Sequence, residues 1–351
     1  QATLPQSGTP TSNLALPTAQ EDAAWAKVVE AAKKEGRLTI YSYNFTGDVG
    51  LAVSQAFRER YGIQVEIITG RGSAFIERLK TEKRMGGVLA DLSDNSSTNA
   101  KNMKQEGFTI GIAGELPVLR EKDVWVADVL ATDPQDKHLI TFNFSTYSSF
   151  VNTNLVKPGD EPKVWKDLLD PRWKGKMVVA DPTTGAGLLN TFVSLMREKV
   201  VDEEFLKALY KQDIRFALSG PDAAGILSRG ERSLVITVQS VEFGPFVSQG
   251  APIKAVALND GTVLSTVVVV AYGGAPHPNA AKLFINWLIS QEGQTVYSKA
   301  ASVTSARKDV PSSLPKGAQV VPKRPIIVTS EDIDTAAKLF QQQYLNKLWG
   351  R

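Results

Sequence analysis

The 351-residue sequence contains no cysteine and only two histidines, His138 and His277. Without thiols it can form no disulfide, no zinc–thiolate site and no cysteine nucleophile. With so few imidazoles, a clustered histidine metal site and most histidine-based acid–base machinery are excluded as well. His277 stands between two prolines in "GGAPHPNAAK" and reads as a solvated turn residue. An excess of one charge is also missing. The 40 Lys and Arg against 37 Asp and Glu leave a net charge of +3, and no long basic run offers a footprint for nucleic acid, which is therefore not expected as a partner. The longest apolar run, residues 267–271 with its flanks, falls well short of the ~20 residues that span a bilayer.

Motifs of catalysis are absent too. The chain has no G-x-x-x-x-G-K-[ST] loop, no G-x-S-x-G elbow, no H-E-x-x-H pair, and no carboxylate pair whose sequence setting predicts a raised pKa. These absences shift the weight from enzyme to binding protein, with no cofactor implied.

The length suits two domains. The first ~20 residues, rich in Pro, Ser and Thr and without apolar period, read as a disordered tether. A start at Gln rather than Met suggests removal of a signal segment, which fits an exported or lipid-anchored protein; a chain trimmed for expression would look the same. Beyond the tether, "EDAAWAKVVEAAKKEG" places Trp25, Val28, Val29 and Ala32 on one helical face and stops at Gly36. Extended "RLTIYS", helical "DVGLAVSQAFRERYG" and extended "IQVEIIT" then make a βαβ unit with parallel strands. Further strands are predicted at "VLADLSD", "KMVVAD", "SLVITV", "PIKAVAL" and "STVVVVAYGG". "PNAAKLFINWLISQEGQ" and "DIDTAAKLFQQQYLNKLW" read as helices, with core stripes at Ala281, Phe284, Ile285 and Leu288, and at Ile333, Ala337, Phe340, Tyr344 and Leu348. "FNFSTYSSFVNTN", polar, aromatic and without breakers, reads as an extended strand crossing between two lobes.

Three strand-to-helix junctions carry the chemistry. In "EIITGRGSAFIERLKTE", Gly70 and Gly72 allow close backbone approach, Ser73 can cap the helix or donate to a ligand, and Arg71 can fork two oxygens. The alternative is a capped helix with a solvated arginine. In "VVADPTTGAGLLNTF", Thr183, Thr184, Gly185 and Gly187 precede an apolar helix; Asn190 stands where a dinucleotide fingerprint needs its third glycine. "SDNSSTN" at 93–99 adds Asn95, Ser96 and Ser97 as a polar loop, with an ordinary capping cluster as its alternative. Tyr41, Ser42, Tyr43 and Asn44, at the end of the first strand, belong to the same crevice, because open α/β sheets bind ligands at the carboxyl ends of their strands.

The order of "WAKVVEAAKKEGRLTIYS", "FRERYGIQVEIITGRGSAFIERLKTE", "VLADLSD", "VWKDLLDPRWKGKMVVADPTTGAG", "RGERSLVITV", "QGAPIKAV" and "GGAPHPNAAKLFINWLISQEGQ" resembles the extracytoplasmic solute-binding proteins of bacterial ABC importers. Within them it is most similar to the branch that binds ferric ion, phosphonates and sugar phosphates. The resemblance covers nearly the whole chain after residue 24. It implies an α/β fold of the type II periplasmic-binding-protein kind, two discontinuous lobes joined by two crossing strands, the second near residues 258–266. The lobes are expected over 21–142 with 266–312, and 143–265 with 313–351, after a tether over 1–20. It also implies a monomer in the periplasm or anchored at the cell surface, a membrane permease as partner, and no enzymatic activity.

The resemblance sets the ligand residues too. Iron binders of this branch hold the metal with adjacent tyrosines, which here fall at Val241 and Glu242; their histidine meets Phe45 and Thr46, and their carboxylate after "LAD" meets Asn95 or Ser96. Loss of these hard ligands speaks against direct ferric coordination and leaves a ferric ion or chelate with non-tyrosine ligands as the alternative. The main expectation is a small anionic organic ligand with phosphate, phosphonate or carboxylate oxygens. The anion clamp would be Arg71, Gly72 and Ser73 facing Thr183, Thr184 and Gly185. Ser42, Tyr43, Asn44, Asn95, Ser96, Tyr147, Gln239 and Ser240 would line the cleft, and Glu242 with Tyr43 or Phe243 would read an amine or an apolar part.

Overall fold

Three of the four residues of the first predicted stripe, Trp25, Val29 and Ala32 of α1 (Ala19–Glu35), pack into the larger apolar core of the first lobe, and Val28 does not join them. The structure is a computed structural model that describes residues 19–181 and 187–341. The tether read over 1–20 lies, but for its last two residues, outside the described residues. β1 (Arg37–Ser42) leads through α2 (Gly47–Tyr61) to β2 (Gln64–Thr69), parallel to β1 in continuous register from Arg37↔Gln64 to Ser42↔Thr69. α3 (Gly72–Arg84) returns the chain to β3 (Leu92–Ser96), parallel to β1 on its other side, followed by α4 (Ser97–Gln105) and the short β4 (Thr109–Ile110).

β5 (Ile140–Asn152) is the predicted crossing strand, and its 13 residues exceed the usual strand length. Beyond it lie β6 (Met177–Ala180), α5 (Gly187–Arg197), α6 (Glu203–Tyr210), β7 (Arg215–Ala217), α7 (Gly220–Ser228), β8 (Leu234–Gln239), α8 (Ser240–Ser248) and β9 (Ile253–Val256). β6 lies between parallel β7 and β8, and a second core forms around Trp165, Met177, Leu195 and Ile236. β10 (Thr262–Tyr272) then runs back as the second crossing strand. Its later half pairs antiparallel with β3, and its length pairs antiparallel with β5. α9 (Pro278–Leu288) and α10 (Gln291–Ala301) complete the first lobe; β11 (Pro325–Ile327) pairs with the start of β10, and α11 (Ser330–Gln341) follows.

The registers fix the geometry of the cleft. β3 ends where Ser96 meets Val267, and Val267 meets Asn143 of β5. β8 runs the other way and ends where Gln239 meets Tyr147. The carboxyl ends of the two sets of parallel strands therefore point at each other. Only the four-residue step from Asn143 to Tyr147, ~13 Å of extended chain, separates them along the sheet. Every helix that follows one of those strands begins at this gap.

Contacts at two places tie distant segments. The Glu35 carboxylate at the end of α1 accepts from the Asn279 side chain (2.7 Å) and the Ala280 amide (2.7 Å), capping α9 from outside the helix. Ala336 of α11 packs on Leu189 and Val193 of α5, buried Asp332 accepts from Ser194 Oγ (2.8 Å) and Arg197 Nε (2.9 Å), and Asp334 pairs with Lys101 of α4 at 2.7 Å.

One predicted helix is two. The stretch "PNAAKLFINWLISQEGQ" breaks at Ile289 and Ser290, because Ser290 caps α10 by accepting the Gly293 amide at 3.2 Å. Gly293 makes that corner possible, since a Cβ there would lie 2.0 Å from the Trp287 carbonyl oxygen. Gly293→Ala should therefore lower unfolding stability by about 2–4 kcal/mol. Gly114→Ala, at a site with nothing within 4 Å of the added carbon, should change it by less than ~0.5 kcal/mol. Thermal melts followed by circular dichroism compare the two.

Candidate ligand-binding cleft

On the first wall, Arg71 occupies the cap position of α3 with extended backbone (φ −77°, ψ 139°), and no side chain caps the helix. The sequence expected Ser73 as a possible cap; it lies instead inside the first turn, exposed. The Arg71 guanidinium is exposed and has no hydrogen-bond or ion-pair partner among the described residues. Gly72 is buried against β3 and α4: a Cβ there would meet Asn95 Oδ1 at 2.0 Å and Asn99 Nδ2 at 2.3 Å. The starts of α3 and α4 are thereby locked side by side.

The polar stretch 93–99 is not a loop. Residues up to Ser96 form β3 between β1 and β10, where the ladder satisfies the backbone, and Ser97 begins α4. Asn95 is fully buried, with Nδ2 donating to Ser93 Oγ at 2.5 Å and Oδ1 unpartnered among the described residues. Ser96 caps α4 through the Asn99 amide at 3.4 Å. Ser42 is buried and accepts from the Phe45 amide at 2.7 Å, while Tyr43, 54% exposed, projects from the wall.

Sequence reasoning missed Asp94. It lies fully buried beside Ser42 and Asn44, and its Oδ2 accepts from the Asn44 amide at 2.8 Å and the Asn44 side chain at 2.5 Å. The other oxygen has no partner among the described residues. Burial pushes the Asp94 carboxyl up to about 6, against the opposing pull of the Ser42 and Asn44 hydrogen bonds. A sequence signal existed: Asp94 shares its strand face with Leu92, so the alternation points it inward.

On the second wall, Tyr147, Asp181, Gly187, Gly220, Thr237, Gln239 and Glu242 contribute to a cavity of about 330 Å³. Tyr147 accepts from Gln239 Nε2 at 2.9 Å, and burial pushes its hydroxyl pKa up. Gly187, at the start of α5, touches the Tyr147 ring so closely that a Cβ would fall 2.8 Å from it. Ser240 is buried and donates to the Thr146 carbonyl oxygen at 3.3 Å, a structural role behind the wall. Glu242 stands in the first turn of α8, its carboxyl pKa raised by burial. Phe243 does not reach the cleft: it is fully buried and stacks on Phe150 with ring centroids 4.0 Å apart. Thr183, Thr184 and Gly185 lie outside the described residues. Asp181 and Thr237 were not anticipated; both follow from the rule that strand ends line the crevice, Asp181 just after β6 and Thr237 near the end of β8.

His277 is no solvated turn residue. Its Nδ1 lies 3.1 Å from Oδ2 of fully buried Asp91, which also accepts the Thr39 amide at 2.7 Å, so it braces the first lobe. Among the described residues, no group of three or more His, Asp or Glu side chains is placed to hold a metal ion.

Two walls of strand ends joined by a pair of crossing strands are the geometry that the sequence resemblance implies, and comparison bears it out. Residues 90–323 match the family described as bacterial extracellular solute-binding protein. The chain belongs to that family. As a member it is extracytoplasmic and is the solute-binding component of an ABC importer, a small-molecule carrier that works with a membrane permease. It is 29% identical over 282 residues, 78% of each chain, to a Haemophilus influenzae protein without assigned function. It is 24% identical over 293 residues, 80% of this chain and 81% of the other, to a Salmonella typhimurium protein provisionally named as a periplasmic 2-aminoethylphosphonate-binding protein. The Mannheimia haemolytica ferric iron-binding protein A, in an open conformation, superposes with a TM-score of 0.73 at 17% identity, over 89% of this chain and 99% of that one. The fold is therefore that of the type II periplasmic binding proteins. Among the described residues, no helix is long and apolar enough to cross a membrane.

The buried carboxyl of Asp94 generates a pH signature. Its folded pKa of about 6 lies above the ordinary 3.8, so the folded protein keeps a proton that the unfolded chain has released. Stability from this group is full below the unfolded value and is lost as pH rises through the folded one. Asp94→Asn removes the titration, and its stability relative to wild type should rise by up to ~3 kcal/mol between pH 4 and pH 7. Ligand-free thermal melts across that range check this; a relative fall instead would mean that Asp94 is stabilised as a carboxylate.

Proposed function

We propose that the protein captures a small organic anion bearing a phosphate, phosphonate or carboxylate group between its two walls and delivers it to the permease. The observation that carries this reading is Arg71, a guanidinium without a partner among the described residues, at an α-helix start that no side chain of those residues caps. Free amides, a positive helix end and a forked cation suit oxyanions in combination. In this reading Arg71, Gly72 and Ser73 form one half of the clamp, and Thr183, Thr184 and Gly185, ahead of α5, form the other. The provisional name of the Salmonella relative agrees with a phosphonate or a similar group. The lobes would close as units of 21–142 with 266–312 and 143–265 with 313–351, turning about β5 and β10, and the protein would act as a monomer.

Charge-assisted hydrogen bonds contribute roughly 1.5–3 kcal/mol each, so two or three reach micromolar affinity. Thermal-shift screening against phosphates, phosphonates, sugar phosphates and carboxylates should give an oxyanion that raises the melting temperature in proportion to its concentration. Arg71→Ala should weaken the best hit by ~10–100-fold. Unchanged affinity in that variant would remove Arg71 from the clamp.

A further inference from the structure

The cavity on the second wall has the wrong charge for an oxyanion. Among the described residues it is lined by two carboxylates, Asp181 and Glu242, and by no basic side chain. Glu242 Oε2 is closed off from solvent and has no partner among the described residues. Gly220 leaves it room, since a Cβ at that position would lie 1.3 Å from Oε2. Thr237, only 3% exposed, lines the same cavity with a hydroxyl that also lacks a partner among the described residues. Tyr147 adds a third oxygen, already oriented by Gln239. A buried acceptor without a donor is costly to keep, and a buried carboxylate without a counter-charge more so.

One chemical group answers all of this. A primary ammonium carries one positive charge and three hydrogen-bond donors, which match a carboxylate oxygen and two hydroxyl oxygens. Resting on the anion reading above, we propose that the ligand is a zwitterion: its oxyanion is held at Arg71 and the start of α3, and its primary ammonium docks in the second-wall cavity on Glu242, Thr237 and Tyr147. Asp181 adds to the negative field there. The 330 Å³ volume is at the small end for a ligand site and suits a short aminoalkyl chain rather than a sugar.

Isothermal titration calorimetry on matched pairs tests this: 2-aminoethylphosphonate against ethylphosphonate, O-phosphoethanolamine against ethyl phosphate, and β-alanine against propionate, with putrescine as a cation lacking an anion. Wild type should prefer the amino member of at least one pair by tenfold or more. Glu242→Gln should bring that ratio close to one, Thr237→Val should reduce it, and the surface variant Glu66→Gln should leave it unchanged, with thermal melts confirming that each variant is folded. If wild type binds both members of a pair equally, the ammonium site is wrong and the anion reading stands. If putrescine binds and no anion does, the zwitterion falls together with the anion reading. Binding of none of these probes would overturn both.

Discussion

The antiparallel pairing of β5 with β10 is the constraint on which the rest of the molecule depends. Each strand is long enough to serve both lobes, and their shared ladder decides which way every other strand runs. Because β3 joins this ribbon on one side and β8 joins it on the other, their directions oppose, and both sets of carboxyl ends meet at one gap. The helix starts, with their unsatisfied amides, are gathered there by topology alone. Side-chain chemistry then needs only to decorate a place already selected. The polar character of the middle of β5, where Ser145, Thr146 and Ser148 interrupt the aromatic residues, follows from its passage beneath that gap.

The two walls spend their charge differently. The first exposes a guanidinium and hides a carboxylate, Asp94, that organises the turn after β1 by accepting both donors of Asn44. The second lines a small cavity with carboxylates, one Glu242 oxygen closed off from solvent, and buries its apolar neighbour Phe243 in the core. Such opposed polarity gives a ligand an orientation as well as an affinity. A molecule that meets only one wall leaves the other wall's charge unanswered, and that mismatch is a means of rejection.

Much of the fold was legible in the chain because its signals are local. The stripe of α1, the βαβ unit at 37–69 and the unbroken polar strand read over 142–154, observed two residues earlier at 140–152, come from spacing and breakers. What was not legible depends on partners far away in sequence. "SDNS" looks like a loop until β1 and β10 flank it, and then its polar side chains become interior. Phe243 looked available to a ligand because nothing local reveals Phe150 beneath it. For the site, the junction at Arg71 was visible from its glycines, whereas Asp94 and Thr237 are ordinary strand residues whose importance comes from oxygen atoms that find no partner among the described residues.

The bond from Glu35 to the start of α9 links the first described helix to residues more than 240 positions later. Together with the insertion of β10 beside β3, it means that the first lobe cannot close its core until most of the chain is available. The segment between them, by contrast, holds β6, β7 and β8 with their helices in one continuous stretch. Loop-closure entropy therefore favours early pairing of β6, β7 and β8, with the first lobe waiting for its late strand and helices and the second for β11 and α11. In that order α1 waits for most of the chain, until α9 arrives to dock on Glu35.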